Sequence, residues 1–227
     1  KLIKIFIFLN IVFFLVLFTS ERVAMFYSFF TNIIFIIYFL KYNKKYFFLL
    51  FIPILIFFIV FTINNSFNLQ IKNTVNQIID KDNNNKIVYP SKQHRSFIYT
   101  SIELFKDNPI FGIGANNFRS YCKDYSFKYE NNCSTHPHNI FFQILSETGS
   151  LGIILYLYFL FILLKKVILF IVKGYKYSNI NIFFLLPVLY FLNPFFPSGN
   201  FFNNWYMAVG TFGIPFYLYF DDKISSD

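Results

Sequence analysis

Two histidines, His136 and His138, stand in the stretch Ser134-Thr-His-Pro-His-Asn139, where a long polar segment gives way to a long apolar one. A neutral imidazole at such a junction can take a proton as a general base. Pro137 suits the first turn of a helix, where its missing N–H costs nothing. The pattern predicts a helix that can run from Asn139 to Leu164, with His138 and Asn139 at its start. Free N–H groups and the positive end of the helix dipole favour an anion there, phosphate above all, and keep a nearby imidazole neutral. Gln143 and Glu147 follow four residues apart on one helix face, and then comes Gly149-Ser-Leu-Gly152.

The other charged candidates are weaker by themselves. Arg22, in Thr19-Ser-Glu-Arg22, reads as readily as an arginine snorkelling to headgroups as a functional one. Arg95, after His94, reads alone as a solvated surface residue, and Arg119 as a loop charge or a weak anion contact. Asp80-Lys-Asp82 has the look of a D-x-D metal pair, but Asn83, Asn84 and Asn85 make it a turn region. Gly112-Ile-Gly114 lacks the strand–helix setting of a dinucleotide fingerprint and reads as a tight turn with positive φ. Cys122 and Cys133 are the only cysteines. In an oxidising compartment they would form a disulfide closing a small loop. With His136 and His138 they do not match a usual zinc spacing, so no metal is expected.

The elements that must position these residues belong to a membrane protein. Of the 227 residues, 56% are hydrophobic and 37 are Phe, arranged in runs that a soluble domain would not carry. Apolar stretches near Leu2–Phe18, Val23–Leu40, Tyr46–Ile63, Ile140–Val172, Ile180–Phe196 and Phe201–Phe220 give about six spans. Ile140–Val172 is too long for one simple span, and its part before Gly149 is expected to lie on the membrane surface. The lysine-rich connections at Lys41–Lys45 and Lys165–Lys176 belong inside, which puts residues 64–138 outside. The expected order is three spans in 1–63, a helical periplasmic loop in 64–138, a surface helix with C-terminal spans in 139–220, and a cytoplasmic tail in 221–227. The fold class is all-α, a polytopic transmembrane bundle. Because the chain begins inside an apolar run, it reads as the C-terminal part of a longer protein.

In the outer loop, Phe67, Ile71, Val75, Ile78 and Ile79 recur at helical spacing and predict an amphipathic helix over Ser66–Ile79. A second helix is expected after Pro90, capped by Ser91, with a buried stripe of Phe97, Ile98, Ser101, Ile102 and Phe105, and a stop at Asn108-Pro109. The loop holds nine Lys and Arg against six Asp and Glu. It has no basic stripe with exposed aromatics, so nucleic acid is not an expected partner.

His138-Asn139, nine intervening residues, then Gly149-x-x-Gly152, with Gln143 and Glu147 between, resembles the signature of the O-antigen ligase and polymerase C-terminal family. The family's arginine at the start of a loop helix matches Arg95, and its Asn-Pro-x-x-Gly-x-Gly turn matches Asn108-Pro-Ile-Phe-Gly112-Ile-Gly114. Its Ser-Arg-Gly-like turn corresponds to Ser20-Glu-Arg22-Val23, with Glu inserted and Val for Gly.

The resemblance implies a glycosyltransferase of the bacterial inner membrane, working on the periplasmic side. It moves a glycan from a polyprenyl diphosphate to an acceptor sugar hydroxyl, by inversion and without metal or other cofactor. His138 is then the base, with His136 its rival. Arg95 and Arg22 stabilise the leaving diphosphate. Asn139, His136, Glu147 and Arg119 are substrate-contact candidates, Asn139 capping or orienting the site and Glu147 pairing with an arginine or closing the helix before Gly149. The acceptor is a lipid core or another glycan, so ligase and polymerase both stay open. A lipid-linked glycan transporter is the other class, although its charges would more often lie inside the spans.

Overall fold

The computed structural model describes residues 2–19, 21–42, 44–78, 92–173 and 180–225, and all of their regular structure is helical. The chain divides into two compact units: residues 1–79 with 173–176, and residues 80–172 with 177–227.

The first unit is built from α1 (Leu2–Thr19), α2 (Arg22–Tyr42), a 3-10 turn over Lys44–Leu50 that leads into α3 (Phe51–Ile63), and α4 (Asn65–Ile78). Phe13 and Leu17 of α1 meet Val60 of α3 and Phe67 of α4 in its core. Asn64 makes the corner between α3 and α4. Its N–H donates to the Val60 carbonyl, and its Oδ1 accepts the Phe67 N–H at 3.1 Å, an N-cap for α4. The predicted amphipathic helix is therefore present, with Phe67 fully buried and Val75 exposed. Arg22 opens α2, but its side chain lies outside the described residues.

The second unit contains α5 (Lys92–Asp107), the short α6 (Phe118–Tyr121), α7 (Ile140–Lys173), α8 (Leu185–Phe191), α9 (Asn204–Thr211) and α10 (Gly213–Ser225). Pro90, Ser91 and the Asp80–Asp82 pair lie outside the described residues. The buried face of α5 is Phe97, Thr100, Ser101 and Leu104, while Ile98, Ile102 and Phe105 are only partly covered. This differs from the expected stripe because Phe97 and Leu104 pack against Phe118 and Cys122, and that cluster sets the rotation of the helix.

Cys122 and Cys133 are joined, with Cα atoms 5.2 Å apart across eleven residues. Replacing Cys122 by Ser should cost about 3 kcal/mol in the chain-entropy account. The segment around Cys122–Cys133 should then be cut by trypsin earlier than in wild type, and dithiothreitol should bring wild type to the same rate.

Among the described residues, two helical stretches have the length and apolarity to cross a membrane, Lys44–Ile63 and Ile140–Phe170. Ile3–Thr19, Val23–Tyr38 and Asn181–Phe191 are shorter apolar helices. The all-helical class is as expected, and the helices in the last two expected spans are shorter than a simple span. The stretch from Ile180 is a 3-10 turn followed by the seven-residue α8, and it stops before Pro194 and Pro197. The last stretch is divided between α9 and α10. Proline removes the donors and the room that a continuing helix needs. Along α7, Ile154, Leu155, Tyr158 and Phe161 are more than 60% exposed. An apolar surface of that extent suits lipid better than water.

Candidate active site

The helix α7 is interrupted at Gly149 (φ 65°, ψ −157°), so its two halves meet at a break. A break leaves the last carbonyls of one half and the first N–H groups of the next without helical partners. The Asn108–Gly114 turn supplies them. Ile113 and Gly114 N–H donate to the Ser146 and Glu147 carbonyls at 3.0 and 2.9 Å. The Pro109 and Ile110 carbonyls accept from Ser150 and Leu151 N–H at 2.8 and 3.3 Å. Gly112 and Gly114 have positive φ, as the turn requires. The glycine turn and the glycine pair of α7 are thus two sides of one joint.

Glu147, in the last turn before the break, is fully buried. Its Oε1 accepts the Phe118 N–H at 2.9 Å, and its Oε2 accepts the Asn116 N–H at 3.0 Å and the Gln143 amide at 3.1 Å. Of the two expectations for Glu147, the place at the helix end before Gly149 is the one seen, and no arginine partner occurs among the described residues. Backbone donors of the neighbouring turn reach the carboxylate instead, and Asn116 adopts φ 62° in that turn. Gln143 also donates to Asn200 Oδ1 at 2.7 Å and accepts the Phe201 N–H at 2.9 Å. Asn200 in turn donates to Asn116 Oδ1 at 2.9 Å. This network locks the start of α7, the 115–118 turn and the 197–202 loop together.

The N-cap of α7 is Asn139. Its Oδ1 accepts the Phe142 N–H at 3.2 Å and its Nδ2 donates to the Pro194 carbonyl at 2.8 Å. Pro137 is therefore outside the helix rather than in its first turn, because His138 takes a left-handed conformation (φ 55°) just before the cap. Such a backbone is uncommon for a residue with a side chain, and it clusters at functional sites. The Ser198 N–H holds the His138 carbonyl at 3.0 Å.

The two histidines are differently employed. His136 is buried, with Nε2 3.2 Å from the Ser198 carbonyl and Nδ1 2.9 Å from Thr135 Oγ1. A carbonyl only accepts, so Nε2 carries the proton and Nδ1 takes the threonine hydroxyl. Both nitrogens of His136 are used. His138 has Nε2 2.9 Å from Ser134 Oγ, and among the described residues its Nδ1 has no hydrogen-bond partner. Its ring lies 4.2 Å from that of His136, 5.4 Å from Phe97 and 6.3 Å from His94, centre to centre. Burial holds the His138 imidazole below the usual histidine range. His136 is also held low, first by burial and then by the charge of His138, with the Ser198 carbonyl opposing.

The contacts of His94 and Phe97 bring the first turns of α5 beside His138, and Arg95 lies between them in sequence. Its Nε is buried with no hydrogen-bond partner. An orphaned cationic donor of this kind is costly unless an anion meets it. Arg119 is exposed on α6 and, in sequence, follows the Phe118 whose N–H binds Glu147. Ser134, Thr135, Asn116, Ser198 and Asn200 were not foreseen. Only the Pro-Ser-Gly-Asn break at Pro197–Asn200 gave a sign of the last two.

A family profile described as O-antigen ligase matches residues 7–157, a stretch that contains Arg22, Arg95, the glycine turn, His138 and Gly149–Gly152. No curated protein matches the chain, and no solved structure does. Since the profile covers well over half of the sequence, the chain belongs to the O-antigen ligase family, whose setting is the membrane and whose substrates are lipid-linked glycans.

Proposed function

We propose that the protein transfers a glycan from a polyprenyl diphosphate to an acceptor sugar hydroxyl on the periplasmic face of the inner membrane, with His138 as general base. The observation that supports this choice is the contrast between the histidines: His136 has both nitrogens engaged, and His138 keeps Nδ1 unengaged among the described residues. In the reaction the acceptor oxygen bonds to the anomeric carbon and its proton passes to His138. The bond from that carbon to the diphosphate breaks, and its electron pair leaves with the diphosphate. One displacement inverts the anomeric centre.

Arg95 is proposed to meet the leaving diphosphate. A planar guanidinium can pair two phosphate oxygens, and a buried Nε without a partner gains one there. Arg22 is proposed as a diphosphate ligand on the family resemblance alone. Asn139 is proposed as the cap that orients His138, His136 as a wall of the site, and Glu147 as the clamp beneath it. Arg119, being exposed, is the outermost candidate contact.

The reading is tested with membranes that hold the full chain, given lipid-linked glycan extracted from the host. Release of polyprenyl diphosphate should persist in EDTA, and the new linkage should have the anomeric configuration opposite to the donor's. Loss of release in EDTA, or retained configuration, would contradict it. Arg95→Lys should keep the charge but lose the fork, weakening donor use by roughly 10- to 100-fold in kcat/KM. An R95K enzyme with unchanged kcat/KM would remove Arg95 from the diphosphate site.

A further inference from the structure

We propose that Ser134 is a positioning residue for His138: its Oγ accepts the Nε2–H of the imidazole and leaves Nδ1 as the atom that receives the acceptor's proton. This rests on His138 being the base. Ser134 Oγ is 2.9 Å from Nε2, and among the described residues no other hydrogen-bond partner holds that ring. A neutral imidazole carries one N–H, so a partner that takes it at Nε2 fixes the lone pair on Nδ1.

The serine is itself well placed for the task. It follows Cys133, which is tied to Cys122, and Cys122 is buried with Phe97, Leu104 and Phe118. The Cys122 carbonyl also accepts the Asn132 side-chain amide at 2.7 Å. The backbone on which Ser134 sits is therefore anchored to α5, whose Phe97 packs against the His138 ring. At the other side, the Ser198 N–H fixes the His138 carbonyl. Ring and hydroxyl are thus held from two directions, four residues apart.

The proton balance follows. As the acceptor oxygen attacks, its proton moves to Nδ1, and the diphosphate takes the electron pair of the broken bond. The imidazolium so formed donates Nε2–H to Ser134 Oγ in a charge-assisted bond, stronger than the neutral one before it. Ser134 therefore favours the charged form over the neutral form. The titratable groups near His138 are His136 in its own loop and His94 on α5, and Arg95 adds a fixed charge beside His94 in sequence. His136 cannot replace Ser134 as acceptor, since its own nitrogens are engaged.

The test uses the full chain in membranes, the host's own lipid-linked glycan as donor, and polyprenyl diphosphate release as readout over a range of pH. S134A should lower kcat by roughly 10- to 100-fold, the worth of a hydrogen bond to a charged group. The donor KM should hardly move. The acid limb of the kcat profile should shift to lower pH, because the imidazolium loses its acceptor. S134T, which keeps a hydroxyl, should recover most of the rate. Should S134A not accumulate, S134G carries the same expectation. Wild-type kcat in the variant without a hydroxyl, or a loss equal at every pH that S134T does not repair, overturns the role of Ser134. Full activity in H138A would overturn the base reading beneath it, an outcome distinct from an active S134A beside an inactive H138A.

Discussion

Gly149→Ala should leave little of the protein folded in the membrane. Gly149 holds φ 65° and ψ −157°, a region that belongs almost wholly to glycine. A methyl group there would also run into the Ile110 carbonyl and come to 2.6 Å from the Gly112 nitrogen. Neither neighbour can retreat. A methyl on Gly112 would itself be 2.5 Å from the Glu147 carbonyl carbon and from the Thr148 nitrogen, so the two backbones are in contact from both sides. Backbone strain of about 1–3 kcal/mol combines with overpacking of about 1–3 kcal/mol, a large part of a typical folding free energy. Relief would mean parting the joint, which strips the Ser146 and Glu147 carbonyls of their donors. Gly152→Ala lacks the backbone strain, since Gly152 has no positive φ, but its methyl would come within 2.5 Å of Thr148 Cβ, which side-chain rotation cannot move, so that variant should lose stability by overpacking alone. The amount of full-length chain in the membrane and its resistance to trypsin measure both. Wild-type levels of G149A would refute this account of the joint.

Much of this joint was legible in the sequence, but as two separate motifs. Asn108-Pro-Ile-Phe-Gly112-Ile-Gly114 gave a turn with positive φ, and the structure has it. The excessive length of Ile140–Val172 gave a two-piece helix, and the break falls at Gly149. That the turn exists to satisfy the break could not be read, because it depends on two segments more than thirty residues apart meeting through backbone atoms, which leave no trace in side-chain type. α7 starts at its Asn139 cap, as expected, but Pro137 lies before it rather than in its first turn, for a related reason. Pro137 is a good first-turn residue by propensity, but the left-handed His138 and the Asn139 cap override it, and a positive φ at a histidine has no sequence signal. The rotation of α5 was set by the packing of Phe97 and Leu104 on Cys122 and Phe118 rather than by its own periodicity. The last apolar stretches promised two spans by composition. The first ends its helix at Phe191, ahead of Pro194, the second divides between Thr211 and Gly213, and the 194–202 loop supplies the partners of His136, His138, Asn139 and Gln143.

His138→Ala should reduce glycan transfer by roughly 10²- to 10⁴-fold, the usual contribution of a positioned base. The backbone there can survive the change, since Ser198 and the Asn139 cap hold it without the ring. His136→Ala should act through the loop instead, by releasing the Ser198 carbonyl and Thr135, and should show mainly as lower protein level. The pH profile adds a sign. Burial lowers the pKa of His138, so at neutral pH the ring is uncharged and can accept a proton. Activity should hold as pH falls to about 6.5, the ordinary histidine value, and decline only below it.

The most direct test is the surface-glycan ladder of the host on a gel, with H138A introduced into the intact gene and the protein level matched to wild type. With His138 as the base, the ladder is lost: a bare core with accumulating lipid-linked polymer identifies a ligase, and single repeats on the core identify a polymerase. An unchanged ladder at normal protein level would contradict His138 as the base and leave a transporter of lipid-linked glycan as the better reading.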